Sequence, residues 1–72
     1  MHKPIELLAV VALADDLPAE GLVRGQVGTV VETLANDHFE VEFSDDQGKT
    51  YAMLPLAAGQ LIVLHHAPVR TA

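Results

Sequence analysis

Two adjacent imidazoles, His65 and His66, are the residues of this chain that most directly suggest metal chemistry. They fall in an aliphatic run that reads as a strand, and neighbouring strand residues point to opposite faces. One strand therefore does not offer both rings to one ion, and His65 and His66 read as solvent-facing strand-end residues, as do His2 and His38 at their own positions. Asp45, Asp46 and Gly48 touch on a calcium-binding pattern, but such a loop needs about twelve residues with ligands at alternate positions and a closing Glu. A hairpin turn accounts for these residues instead.

Glu40 and Glu42 share the outer face of an alternating segment, about 7 Å apart by strand geometry. Paired carboxylates do acid–base work only in a concave, partly desolvated site. An open strand face reads as solvated charge that also discourages edge pairing. Ser44 is the single serine and no cysteine is present, so nucleophilic catalysis has little to draw on. Ser44 also lacks the G-x-S-x-G setting of an activated hydroxyl. No glycine-rich loop leads into a helix to cradle phosphate. The expectation is a non-enzymatic protein with no catalytic residue, no metal site and no cofactor.

The remaining candidate is the segment 14–25, ADDLPAEGLVRG. A loop of this length in so short a chain is often functional. Asp15, Asp16, Glu20 and Arg24 would give polar contacts to a partner, with Leu17 and Pro18 as apolar ones. The competing reading is that Leu17, Pro18 and Leu22 only cover one end of the core. Pro18-Ala19-Glu20 suits a single helical turn, because proline favours a first helical position.

The elements that must hold this loop are β-strands. Residues 5–13 form an apolar run bounded by Pro4 and Asp15-Asp16, readable as strand or short helix, with strand favoured. Residues 26–35 read as a strand in which Val27, Thr29 and Val31 share one face and Val30 takes the other. Gly28 there marks a bulge or bend, and Asn36-Asp37 a tight turn. In 38–44, Phe39, Val41 and Phe43 alternate inward against His38, Glu40, Glu42 and Ser44. Gly48 gives the next turn its positive φ. Residues 49–54 form a fourth strand, with Tyr51 and Met53 on one side, and 55–59 a short turn of 3₁₀ type. Residues 60–65 form a fifth strand, and 66–72 read as a frayed tail.

Size and charge set the frame. The chain has 72 residues, enough for one domain spanning 1–72 with its core over about 5–65. Chains this short bury only about 60% of the surface exposed on unfolding, and here the core must be aliphatic, since Phe39, Phe43 and Tyr51 are the only aromatics. Ten acids stand against Lys3, Arg24, Lys49 and Arg70, for a net charge of −6. Four scattered cations build no phosphate-binding face, so nucleic acid is not an expected partner; acidity keeps a small aliphatic protein soluble or presents an acidic face to a basic protein. The N-terminal apolar stretch is interrupted by Glu6 and is too short to span a bilayer. No membrane association is expected, and a cytoplasmic location fits the absence of cysteine.

Asp16-Leu17-Pro18, Gly21-Leu22, Arg24-Gly25 and Val27-Gly28-Thr29-Val30-Val31, followed by Phe39-Glu40-Val41-Glu42-Phe43 and Gly48-Lys49-Thr50-Tyr51-Ala52, carry a family pattern. It resembles a bacterial family of small stand-alone proteins catalogued only as a domain of unknown function, over roughly residues 5–65. The resemblance implies an SH3-like barrel and no assigned activity. Gly25-Gln26-Val27-Gly28-Thr29-Val30 is also similar to the glycine motif of ribosomal and transcription-factor SH3-like domains, where basic residues surround it; here only Arg24 does.

The expected architecture is therefore all-β: a small five-stranded SH3-like barrel with a long first loop and a 3₁₀ turn before the last strand. An open five-stranded meander is the rival. The expected function is a protein-interaction module, with a nucleic-acid-associated barrel as the alternative. Leu61-Ile62-Val63-Leu64 is aliphatic on both faces, which calls for cover from the N-terminal segment or, in a homodimer, from a second subunit.

Overall fold

A computed structural model describes residues 5–65 together with Ala67 and Pro68. Phe39, Val41 and Phe43 show most simply how the sequence makes its sheet. They occupy alternate positions of a seven-residue strand, all three are buried, and the residues between them face outward. This strand is β3, His38–Ser44. It stands between β2, Val27–Thr33, and β4, Thr50–Ala57. β1, Val10–Leu13, pairs with β2 on one side and β5, Leu61–Val63, on the other. All four pairings are antiparallel, and the order across the sheet is β4-β3-β2-β1-β5.

The five strands, the long first loop and the 3₁₀ turn before the last strand match the expectation. Among the described residues the hydrogen-bonded ladder does not close, and β4 and β5 form its edges. It is nonetheless strongly curled. A flat sheet of five strands would separate its edges by about 19 Å. Yet β4 ends at Ala57 and β5 begins at Leu61, joined only by the 3₁₀ turn Ala58–Gln60. Even a fully extended link of that length reaches only about 14 Å, and a 3₁₀ turn is much shorter. Curling gathers the core from every strand: Val11 and Leu13, Val30, the three β3 residues, Leu56 and Leu61, with Leu22 added from the first loop.

Several boundaries differ from the sequence expectation. The run 5–13 is not one strand. Only Val10–Leu13 pairs regularly, and before it the chain turns, with Ala9 N–H donating to the Glu6 carbonyl (3.0 Å) and Leu8 held at φ 68°. Within β2 the bulge lies at Val31, where the register steps from Val30↔Val41 to Glu32↔Glu40, and not at Gly28. Gly28 is a close-approach glycine: a Cβ there would lie 2.7 Å from Val41 Cγ1 and 2.9 Å from the Glu42 carbonyl oxygen. β4 runs on through Pro55 to Ala57, so the turn comes at 58–60 and not at 55–59. Proline is tolerated there because β4 is an edge strand with one side free of the ladder. β5 is shorter than 60–65, although Leu64 N–H continues the pairing to the Val10 carbonyl (2.9 Å).

The turns follow their residues. Asn36 and Asp37 both take positive φ, 60° and 56°, as a tight hairpin of twisted strands requires. Asp45 Oδ1 accepts from Gln47 N–H and Lys49 N–H, both at 2.9 Å, while Gly48 sits at φ 81°. Of the tail expected over 66–72, all but Ala67 and Pro68 lies outside the described residues, as does His2.

Candidate interaction surface

The first loop is a built element. Leu17 and Leu22 exchange two backbone hydrogen bonds, 2.9 and 3.1 Å, and so form a miniature hairpin. Its tip is the 3₁₀ turn Pro18–Glu20, ended by Gly21 at φ 70°. Leu22 is buried in the core cluster, and Leu17 packs against it half-buried. The base of the loop is tied to β1: Gly25 N–H donates to the Leu13 carbonyl (2.8 Å), and Leu13 N–H to the Gln26 carbonyl (2.9 Å). Gln26 also accepts from Val23 N–H through Oε1 (2.6 Å), and its Nε2 donates to the Tyr51 hydroxyl (3.2 Å), linking the loop to β4.

The expected partner-contact residues divide on this frame. Asp15, Pro18, Glu20 and Arg24 are exposed and free of the core. Asp16 is exposed too, but its Oδ1 accepts from the Arg24 main-chain N–H (2.8 Å) and so helps to shape the loop. Leu17 is an anchor. Of the three residues expected to cover the core, Leu17 and Leu22 do so, whereas Pro18 is exposed, as are the loop acids.

A second acidic element stands beside the loop, which the linear sequence does not reveal. Ala14 N–H donates to the Gln60 carbonyl (2.9 Å), and Ala58 N–H donates to the Asp37 carbonyl (2.9 Å). The single turn Ala58–Gln60 thus touches the start of the first loop with one end and the β2–β3 hairpin with the other. Asp15 follows Ala14 directly, so it and Asp37 flank one short turn, and both are exposed. The turn is fixed by its own residues, since Gln60 Oε1 accepts from Ala57 N–H (2.9 Å).

His38 Nδ1 lies 2.8 Å from the Asn36 carbonyl oxygen; a carbonyl only accepts, so this nitrogen carries the proton and the ring braces the hairpin. His65 is exposed, and His66 lies outside the described residues. Glu42 accepts a hydrogen bond from Thr50 Oγ1, and Glu40 pairs across to both Glu32 and Pro55. Asp45 is occupied by its turn, and Ser44 pairs with Thr50 at the end of β3. Among the described residues, no three His, Asp or Glu side chains gather as a metal site, and no helix is long and apolar enough to cross a membrane.

Fold and surface together define an all-β domain of five antiparallel strands, with a pinned first loop and acids on its rim. The family model for the Domain of unknown function (DUF4926) matches residues 7–63, and the chain belongs to that family. No curated protein and no solved structure gives a match.

Proposed function

We propose that this domain is a non-enzymatic interaction module of the cytoplasm that receives a basic segment of a protein partner on its acidic rim. The observation carrying this reading is the pair of hydrogen bonds, Ala14 to Gln60 and Ala58 to Asp37, that sets the first loop and the β2–β3 hairpin on either side of one turn. Asp15 and Asp37 then act together, with Glu20 at the loop tip. Exposed acids on a chain of net charge −6 draw in a cationic partner and speed the encounter. A rim held by backbone bonds loses little freedom on binding, which favours affinity. The non-enzymatic part of the reading is supported by the engagement of Asp45 Oδ1 and His38 Nδ1 in turns.

The test is a variant that removes rim charge and leaves the turn chemistry intact. Asp15→Lys, Glu20→Lys and Asp37→Asn are combined, with Asp16 kept because it shapes the loop and Asn chosen at 37 because it tolerates positive φ. Capture of the partner should fall at least tenfold. Unchanged capture would remove the rim from the account.

A further inference from the structure

β4 is the longest strand of the sheet and one of its edges. An edge strand presents unpaired N–H and C=O groups along its free side, and proteins usually blunt such an edge with charge, proline or brevity. β5, the other edge, is blunted by its length of three residues. β4 carries Pro55 near its far end and a bulge at Tyr51, where its register with β3 shifts, but residues 50–54, Thr-Tyr-Ala-Met-Leu, contain neither charge nor proline.

We propose that this free edge, residues 50–54, takes an extended segment of a partner protein in which apolar and basic residues alternate. The proposal concerns a different surface from the acidic rim and does not rest on it. Strand addition draws on main-chain hydrogen bonds for affinity and on alternate side chains for specificity. The two sides of β4 set that alternation. Ala52 and Leu54 pack against the core but remain half-buried, so they leave apolar surface for a neighbouring strand to cover. On the other side Met53 is 50% exposed with Glu42 directly across from it on β3, and Pro55 faces Glu40 in the same way. A strand added outside β4 would lie about 10 Å from β3. The long stems of Lys or Arg cover that span across Met53 and bring their charge to Glu40 and Glu42. Charge also disfavours a second copy of this chain, which would bring a further net charge of −6 and only Lys49 as a cation beside the edge.

The experiment titrates the ¹⁵N-labelled full chain with an eight-residue peptide alternating lysine and valine. Two control peptides accompany it: the same sequence N-methylated at alternate backbone nitrogens, and a glutamate–valine peptide. Amide shifts should concentrate on residues 50–54, N-methylation should weaken binding at least tenfold, and the glutamate peptide should not bind. Glu40→Lys should weaken the lysine peptide several-fold while the chain stays folded, because that substitution also faces Glu32. Shifts confined to the first loop and the β2–β3 hairpin, equal binding of the methylated peptide, or no binding at millimolar concentration would overturn the proposal. So would concentration-dependent shifts at 50–54 without peptide, which would identify a second copy as the occupant.

Discussion

Glu32 of β2 stands directly opposite Glu40 of β3, two carboxylates set side by side across the strand pair. The other cross-strand neighbour of Glu40 is Pro55, which offers no charge to offset them. Like charges in this position oppose sheet pairing. Glu32→Lys should therefore stabilise the domain by about 0.5–1 kcal/mol, raising its melting temperature by roughly 2–8 °C for a chain of this size. Thermal unfolding at low and high salt checks it. The gain should shrink as salt screens the exposed pair, and a gain that does not depend on salt would point to another cause.

Gly28 behaves differently from the glycines of the turns. Gly21, Gly25 and Gly48 sit at positive φ in open space, whereas Gly28 lies against the backbone and side chains of β3. Gly28→Ala should cost about 2–3 kcal/mol through overpacking, measured by urea denaturation. A cost below about 0.5 kcal/mol would show that β2 and β3 can move apart freely.

Leu8 combines a left-handed backbone, φ 68°, with a side chain that is 68% exposed. A left-handed conformation costs a non-glycine residue about 1–2 kcal/mol, and an exposed leucine recovers little of that by packing. Leu8→Gly should raise stability by about 0.5–1 kcal/mol once the greater freedom of glycine in the unfolded chain is offset. A loss of similar size in the same denaturation experiment would mean that Leu8 packs in solution.

Asp16 and Asp15 are adjacent acids with different work. Asp16→Ala removes the acceptor of the Arg24 N–H and should speed hydrogen exchange at Arg24, with a stability loss of about 1 kcal/mol. Asp15→Ala should change neither. Equal exchange rates in the two variants would contradict the assignment of Asp16 to the loop frame.

Much of the sheet can be read from the sequence because local pattern and tertiary environment agree there. Phe39, Val41 and Phe43 alternate and are buried; Asp45 and Gly48 announce a turn and make one; Pro18 opens a 3₁₀ turn. The misread places are those decided by neighbours. No Gly or Pro marks the turn at Leu8, so an unbroken apolar run conceals it. Pro55 signals a turn locally, and only the edge position of β4 lets it stay in a strand. Gly28 signals irregularity, yet its reason is the approach of Val41, while the bulge falls on Val31, which carries no mark. The acids of the first loop are legible as exposed, but the tie of Ala14 and Asp37 to one turn is not, because it depends on the curl of the sheet and on the turn Ala58–Gln60.

The most direct measurement is affinity capture from a lysate of the source organism, with the full chain as bait and mass spectrometry of what is retained. The account predicts one stoichiometric, basic protein, bound at low salt and released progressively as salt rises. An empty capture at both low and moderate salt, or a retained protein that is acidic and held regardless of salt, would contradict it.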